Sequence, residues 1–328
     1  MNYKKVMCAA CASIAYGICV PGSSGLAAAP DDSSKPIRFV VPFAAAGGTD
    51  LLTRLIGQRL TETTGRSIVV DNRPGASGIV GAEIVAKAAP DGNTLMMILS
   101  SHVINPSLYK KLPYDTINDF SPVIMVNAAP RMLVINPAVP ATNLKEFIAY
   151  AKANPGRMNY ASGGSGTLAH LAAEMLNTFG GIKVVHITYK GGGPLLIAIL
   201  ANEAQMTFGS PSTVLPHVKS GKLRALGTTS AKRSAMMPDV PTIHEAGILG
   251  FEAVEWNAVV VPARTPRTIV SKLNREIQLI LDRADVKKTL ADLGNEGLGG
   301  TPEQCADYLK SELAKYARIV KAAGIRPE

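Results

Sequence analysis

The hydrophobic positions follow two periods that alternate along the chain. Residues 37–43, IRFVVPF, are an apolar, β-branched run with one basic residue inside it, as in a strand buried on both faces. Residues 50–63 instead repeat at helical spacing, with Leu51, Leu52, Leu55, Ile56 and Leu60 on one face and Gly65 as the stop. A strand at 67–70, a loop at 73–78, a helix at 79–88, a turn at 90–93 and a strand at 94–99 continue the series. Strands that alternate with helices predict a parallel sheet with covered faces.

A second series begins near Pro122. It predicts strands at 123–126 and 131–135, a helix at 143–153 and a strand at 158–161. A helix at 167–179 follows, with Leu168, Leu171, Ala172, Met175, Leu176 and Phe179 on its apolar face. Next come a strand at 184–189, a helix opened by Pro194, and strands at 206–208 and 223–228. Residues 252–261 suggest one more strand, and the tail is helical. In it, Thr301-Pro302-Glu303-Gln304 has the form of a capping box, and Leu309, Leu313, Tyr316 and Val320 form a buried stripe. At 328 residues the chain exceeds what one core usually supports, so two α/β domains are expected.

The first 29 residues read as an export signal. Lys4 and Lys5 precede an apolar run at 6–20, and small residues extend to Ala29, with cleavage expected after Ala27 or Ala29. That run is short for a bilayer span, and no later stretch is long enough. Cys8, Cys11 and Cys19 fall in this leader, which leaves Cys305 as a packing residue and no internal disulfide. The net charge of +9 is spread without a basic cluster and mildly favours anionic ligands. With 5% aromatic residues and one Trp, a base-stacking surface, and hence nucleic acid as a partner, is not expected.

Three glycine-rich loops carry the chemistry, at 44–49, 162–166 and 191–193, each joining a strand to a helix. Ligands of open parallel sheets sit beyond the carboxyl ends of the strands, where helix N-termini present N–H groups and partial positive charge. Glycine lets the backbone approach closely, so each loop suits an anion. Asp50 either caps its own helix or receives a ligand ammonium group. His170 is either a ligand donor or a polar residue at a helix start, and Trp256 either lines the cleft or packs at a hinge. Enzyme signatures are missing: there is no P-loop, Gly163–Thr167 fails the nucleophile-elbow pattern at its last position, and no histidine pair has zinc-ligand spacing. No catalytic residue, metal or cofactor is expected.

The residues also carry a family likeness. Pro42-Phe43-Ala44-Ala45-Ala46-Gly47-Gly48-Thr49-Asp50 resembles the first ligand loop of the tripartite tricarboxylate transporter receptors, the Bug family. Asn72–Gly78, Pro90–Leu95, Leu112–Asp115 and Asp119–Val123 are similar to later blocks, and Asn159–Thr167 to the second-domain ligand loop. Tyr189-Lys190-Gly191 with Pro194, Pro216-His217, Gly221–Leu226 and Pro238–Thr242 complete the series. The resemblance implies a periplasmic, two-lobed binding protein of type II-like fold. Each lobe would be a mainly parallel sheet flanked by helices, with strands crossing near 126–129 and 251–256. The divisions are then 1–29 signal, 30–126 first lobe, 127–251 second lobe, and 252–328 returning to the first.

It further implies a small organic acid, a di- or tricarboxylate or an aromatic acid, as ligand, and the membrane components of a tripartite tricarboxylate-type transporter as partners of a monomeric receptor. The expected binding residues are Phe43, Ala44, Ala46, Gly47, Gly48, Thr49 and Asp50 from one lobe, with Ser100 and Ser101 as further donors. The other lobe would contribute Ser162, Gly164, Ser165, Gly166, Thr167, His170, Gly191 and Ser210, with Trp256 near the crossing. Gly164→Val is expected to weaken binding by blocking close approach. Three positions depart from the family pattern. Ala46 replaces a Gly, 195–199 lacks an early acidic residue, and Gly209-Ser210 stands where Asp-Asn is usual. These changes suggest a less acidic, roomier pocket that favours a dianionic or aromatic acid over an amino acid. A sensor subunit for a signalling kinase would share all these features, and an exported hydrolase using Ser165 with His170 or His217 is a further rival.

Overall fold

The computed structural model describes residues 35–45, 47–189, 192–233, 237–322 and 324–325; the leader lies outside them. The chain begins with β1 (Ile37–Val41), α1 (Gly48–Thr64), β2 (Ile68–Asn72), α2 (Ile79–Ala86), β3 (Thr94–Leu99) and α3 (Ser101–Leu108). Within the first sheet, period-two alternation divides the side chains between two helical layers. Phe39, Leu95 and Met97 pack under Leu52, Ile56 and Leu60 of α1. Val40, Met96 and Ile98 face the opposite way, towards Val103 and Ile104 of α3. Full burial of each such side chain contributes about 1.5–3 kcal/mol.

The long strand β4 (Phe120–Pro130) then runs almost directly into β5 (Met132–Ile135). The second sheet follows with α4 (Leu144–Ala153), β6 (Asn159–Ser162), α5 (Leu168–Gly180), β7 (Val185–Thr188), α6 (Gly192–Leu200), β8 (Met206–Gly209), α7 (Pro211–Lys219) and β9 (Arg224–Thr228). The chain returns through β10 (Val254–Pro262) and ends with α8 (Arg267–Leu281), α9 (Ala284–Asp292), β11 (Glu296–Gly299) and α10 (Pro302–Ala322). The first sheet has the order β11-β4-β10-β3-β1-β2 and the second β7-β6-β8-β5-β9.

The fold is the two-lobed α/β arrangement expected, but the sheets are mixed rather than mainly parallel. β10 is antiparallel to both β3 and β4, β11 is antiparallel to β4, and β5 is antiparallel to β8 and β9. The cause is the double crossing: the chain leaves the first sheet along β4 and comes back along β10, so the two must run in opposite directions. Helix α3 contains Pro106, and α7 contains Pro216, which concealed both helices in the sequence pattern.

The tail locks the crossing strands. Thr301 and Gln304 form both halves of the capping box, Gln304 N–H to Thr301 Oγ1 at 3.2 Å and Thr301 N–H to Gln304 Oε1 at 2.9 Å. Further along α10, buried Glu312 accepts the indole N–H of Trp256 on β10 at 3.0 Å, and Lys315 pairs with its other oxygen at 2.5 Å. Trp256 is fully buried. Among the described residues no helix is long and apolar enough to cross a membrane. Glu312→Ala should destabilise the protein by about 1–3 kcal/mol, because it strands the indole donor in the core. Urea unfolding checks this, and an unchanged midpoint would show that the bond is dispensable.

Candidate functional site

A cleft of about 550 Å³ lies between the sheets, within the usual range for a small-molecule site. Five strand-to-helix junctions open onto it. Gly47–Thr49 begin α1, Ser101 begins α3, Thr167 and Leu168 begin α5, Gly192 is the first described residue of α6, and Ser210–Thr213 begin α7. Each helix start carries about half a positive charge on its open N–H groups. The preceding residues Gly47, Ser100 and Ser210 make no side-chain cap, whereas Thr167 Oγ1 accepts from His170 N–H at 3.4 Å.

Of the expected residues, Phe43, Ala44, Gly47, Gly48, Thr49, Asp50, Ser101, Gly166, Thr167 and Ser210 line the cleft. Ala46 and Gly191 lie outside the described residues. Asp50 does not stand open to the cleft. Its carboxylate accepts from Arg54 Nε at 2.9 Å and from Asn72 Nδ2 at 3.0 Å, tying α1 to the end of β2. Ser100 hydrogen-bonds Glu255 instead of reaching into the cleft. Ser162 and His170 are buried behind the second loop, and Gly164 and Ser165 also fall outside the cleft lining. Ser162 is fully buried, and its hydroxyl accepts from Gly164 N–H at 3.1 Å and meets His186 Nε2 at 2.6 Å. His170 Nδ1 accepts Gly166 N–H at 3.2 Å. Trp256 points away from the cleft into the core against α10, as described above.

Close approach is needed at Gly166 rather than Gly164. Gly166 has φ +78°, and a Cβ there would lie 2.9 Å from Leu108 Cδ1 of the opposite lobe. A side chain at Gly164 would meet only Thr167 Cγ2 of the protein at 3.9 Å, so the cost of substitution to the fold comes through its φ of +140° rather than through a clash. The lobes touch beside Gly166, where Ser77 Oγ donates to Ser165 O at 3.2 Å. Ser77 lines the cleft with φ +53°, an unfavourable conformation for a residue bearing a side chain.

The floor of the cleft was not legible as a site. Strand alternation turns Glu255 and Asn257 of β10, and Asn127 and Ala129 of β4, towards the ligand side, and Arg131 just beyond β4 continues that face. Ala128, Pro130 and Val254 face a second hollow of about 800 Å³ behind the ribbon. Arg131 pairs with Glu255 at 2.8 Å, and its backbone N–H donates to Thr229 Oγ1 of the second lobe at 2.8 Å. The expected loss of acidity takes another form. Residues 195–199 lie outside the cleft lining, and a Cβ on Gly209 would fall 2.3 Å from Val214 Cγ1, so Asp is excluded there by packing. Acidic groups do line the cleft, as Asp50 and Glu255, but both are paired with arginines.

Behind the second loop, His170 and His186 stack with centroids 4.4 Å apart, and Tyr160 stacks on His186 at 4.7 Å. Burial holds the His186 value down to about 4, with the neighbouring His170 adding to the effect. Burial alone lowers His170, and it takes His102 in the first lobe down to about 4. The second loop therefore rests on neutral imidazoles.

The family model of the tripartite tricarboxylate transporter family receptors matches residues 52–325. The chain is similar to the protein BugT of Bordetella pertussis, with 34% identity over 96% of this chain and 97% of that one. It resembles the solved structure of R. palustris Rpa4515 with adipate, at TM-score 0.83 and 33% identity, covering 90% of this chain and 99% of that one. MatC (Rpa3494) from Rhodopseudomonas palustris, with bound malate, gives TM-score 0.77 and 32% identity over 87% and 99% of the two chains.

The neutral histidines and Gly166 each generate a prediction. His102 and His186 are neutral when folded but titrate near 6.5 when unfolded. Stability is therefore full above about pH 6.5 and falls as the pH drops towards 4, with roughly 3 kcal/mol at stake for a shift of about two units on a fully buried imidazole. Urea titrations across this range should show the decline, and His186→Asn should make it shallower; an identical slope would mean that His186 is not held neutral. Gly166→Ala should cost about 1–2 kcal/mol through its positive φ and should weaken ligand binding by holding the lobes apart. Affinity equal to wild type would remove Gly166 from the closed interface.

Proposed function

This chain belongs to the tripartite tricarboxylate transporter receptor family, and we propose that it is an exported receptor that binds a small organic carboxylate between its lobes and delivers it to a membrane transporter. The observation that carries this reading is the convergence of five helix starts on one cleft. A carboxylate placed there meets backbone N–H groups and aligned dipoles, with no need for a dedicated cation. The adipate held by Rpa4515 and the malate held by MatC support the same ligand class.

The ligand would act by shifting a hinge equilibrium. It touches Phe43, Ala44 and Gly47–Thr49 of one lobe and Gly166–Thr167 with Ser210–Thr213 of the other only when the lobes are closed, so binding favours closure. The closed face, including the contact between Ser77 and Ser165, would then be what the transporter recognises. The family is one of substrate-binding receptors rather than enzymes; among the described residues, exposed Ser165 and the part-buried Ser162–His186 contact both lie outside the cleft lining.

A thermal-shift panel of organic acids on the purified protein tests the reading. A ligand at about a hundred times its Kd should stabilise the fold by about 2.7 kcal/mol. Hits confined to carboxylates are expected. Hits confined to sugars or cations, or none after unfolding and refolding to remove a carried-over ligand, would contradict it.

A further inference from the structure

Two residues that line the cleft each hold a buried polar atom without a partner among the described residues: Arg131 Nε and Asn127 Oδ1. They lie four residues apart on the ligand-facing side of the chain that runs through β4, at the floor of the cleft and away from the helix starts on its walls. Arg131 is also the one basic side chain among the described cleft-lining residues. We infer that this floor is a specificity element, in which Arg131 binds a second acidic group at the far end of the ligand and selects dianions over monoacids and amino acids. The inference rests on the receptor reading above.

The surrounding charges give the selection its direction. Arg131 Nη2 is engaged by Glu255 Oε2 at 2.8 Å, and the other oxygen of Glu255 accepts the Ser100 hydroxyl. Glu255 thus orients the guanidinium from one side, while the Arg131 side chain keeps 24% of its surface exposed in the cleft lining. A monoacid held by the helix starts offers the exposed part of the guanidinium no second partner. A carboxylate at the far end takes a charge-assisted bond from the exposed part of the guanidinium, which a neutral amide forms more weakly. A ligand ammonium group fits poorly: Arg131 repels it, and the carboxylates of Asp50 and Glu255 already have partners. Glu255 also opposes the incoming anion, so it limits affinity while it positions Arg131.

Calorimetry with straight-chain diacids of about four to eight carbons, each paired with its monoamide, tests this; the matched pairs isolate one charge-assisted bond. Wild type should prefer the diacid by about tenfold or more. Arg131→Gln should abolish that preference while changing monoamide affinity by less than about threefold. Glu255→Gln should move the other way and raise diacid affinity several-fold. If Arg131→Gln does not fold, Arg131→Lys keeps the charge and should show an intermediate preference. Equal losses for diacid and monoamide in both variants would make the pair a hinge strut and overturn the inference, with the receptor reading intact. If no acid binds wild type even after refolding, the receptor reading itself fails and the inference with it.

Discussion

The pairing of β4 with β10 is the constraint on which the rest depends. These two strands form the middle of the first sheet and the route between the lobes, so their register sets the sheet, the hinge and the cleft together. Period-two alternation does the sorting. Glu255 and Asn257 face the ligand side, and Trp256 between them is buried against Glu312 of α10. A slip of one residue would turn the tryptophan into the cleft and the glutamate into the core. The bulges after Asn257 and Val259 adjust the twist of this ribbon without exchanging its faces at the floor.

Around that ribbon the cleft gets its electrostatic character from the backbone more than from side chains. Every acidic side chain in its lining has an arginine partner, Arg54 for Asp50 and Arg131 for Glu255. What remains directed at the ligand is the set of helix N-termini and the edge of one guanidinium. Such a site attracts carboxylates broadly, because peptide N–H groups do not distinguish what lies behind a carboxylate. Discrimination must then come from the floor and from the shape of the closed cavity.

Much of this was legible in the sequence, because glycine-rich strand-to-helix junctions have a composition that reports their geometry. The loops at 44–49 and 162–166 stood out, and their inner residues Gly47–Thr49 and Gly166–Thr167 do line the cleft. The same pattern does not tell which glycine faces the ligand, so Gly164 and Gly166 were indistinguishable until the backbone placed them. The α3 and α7 starts were harder to see, since Pro106 and Pro216 obscure the helical period. Arg131 and Glu255 were hidden for another reason. They are 124 residues apart in sequence, and only the return of the chain along β10 brings them together. A charged residue directly after Ala128-Ala129-Pro130, at the entry to an apolar strand, was the one local signal. Trp256 drew attention as the only indole, yet its place is in the core.

The most direct test of the account is a crystal structure of the protein with a straight-chain diacid. One carboxylate should lie against the first turns of α1 and α5, with the chain of the ligand directed towards the β4–β10 floor. Density for the acid in the hollow behind the ribbon, or a carboxylate in the cleft held away from every helix start, would contradict it.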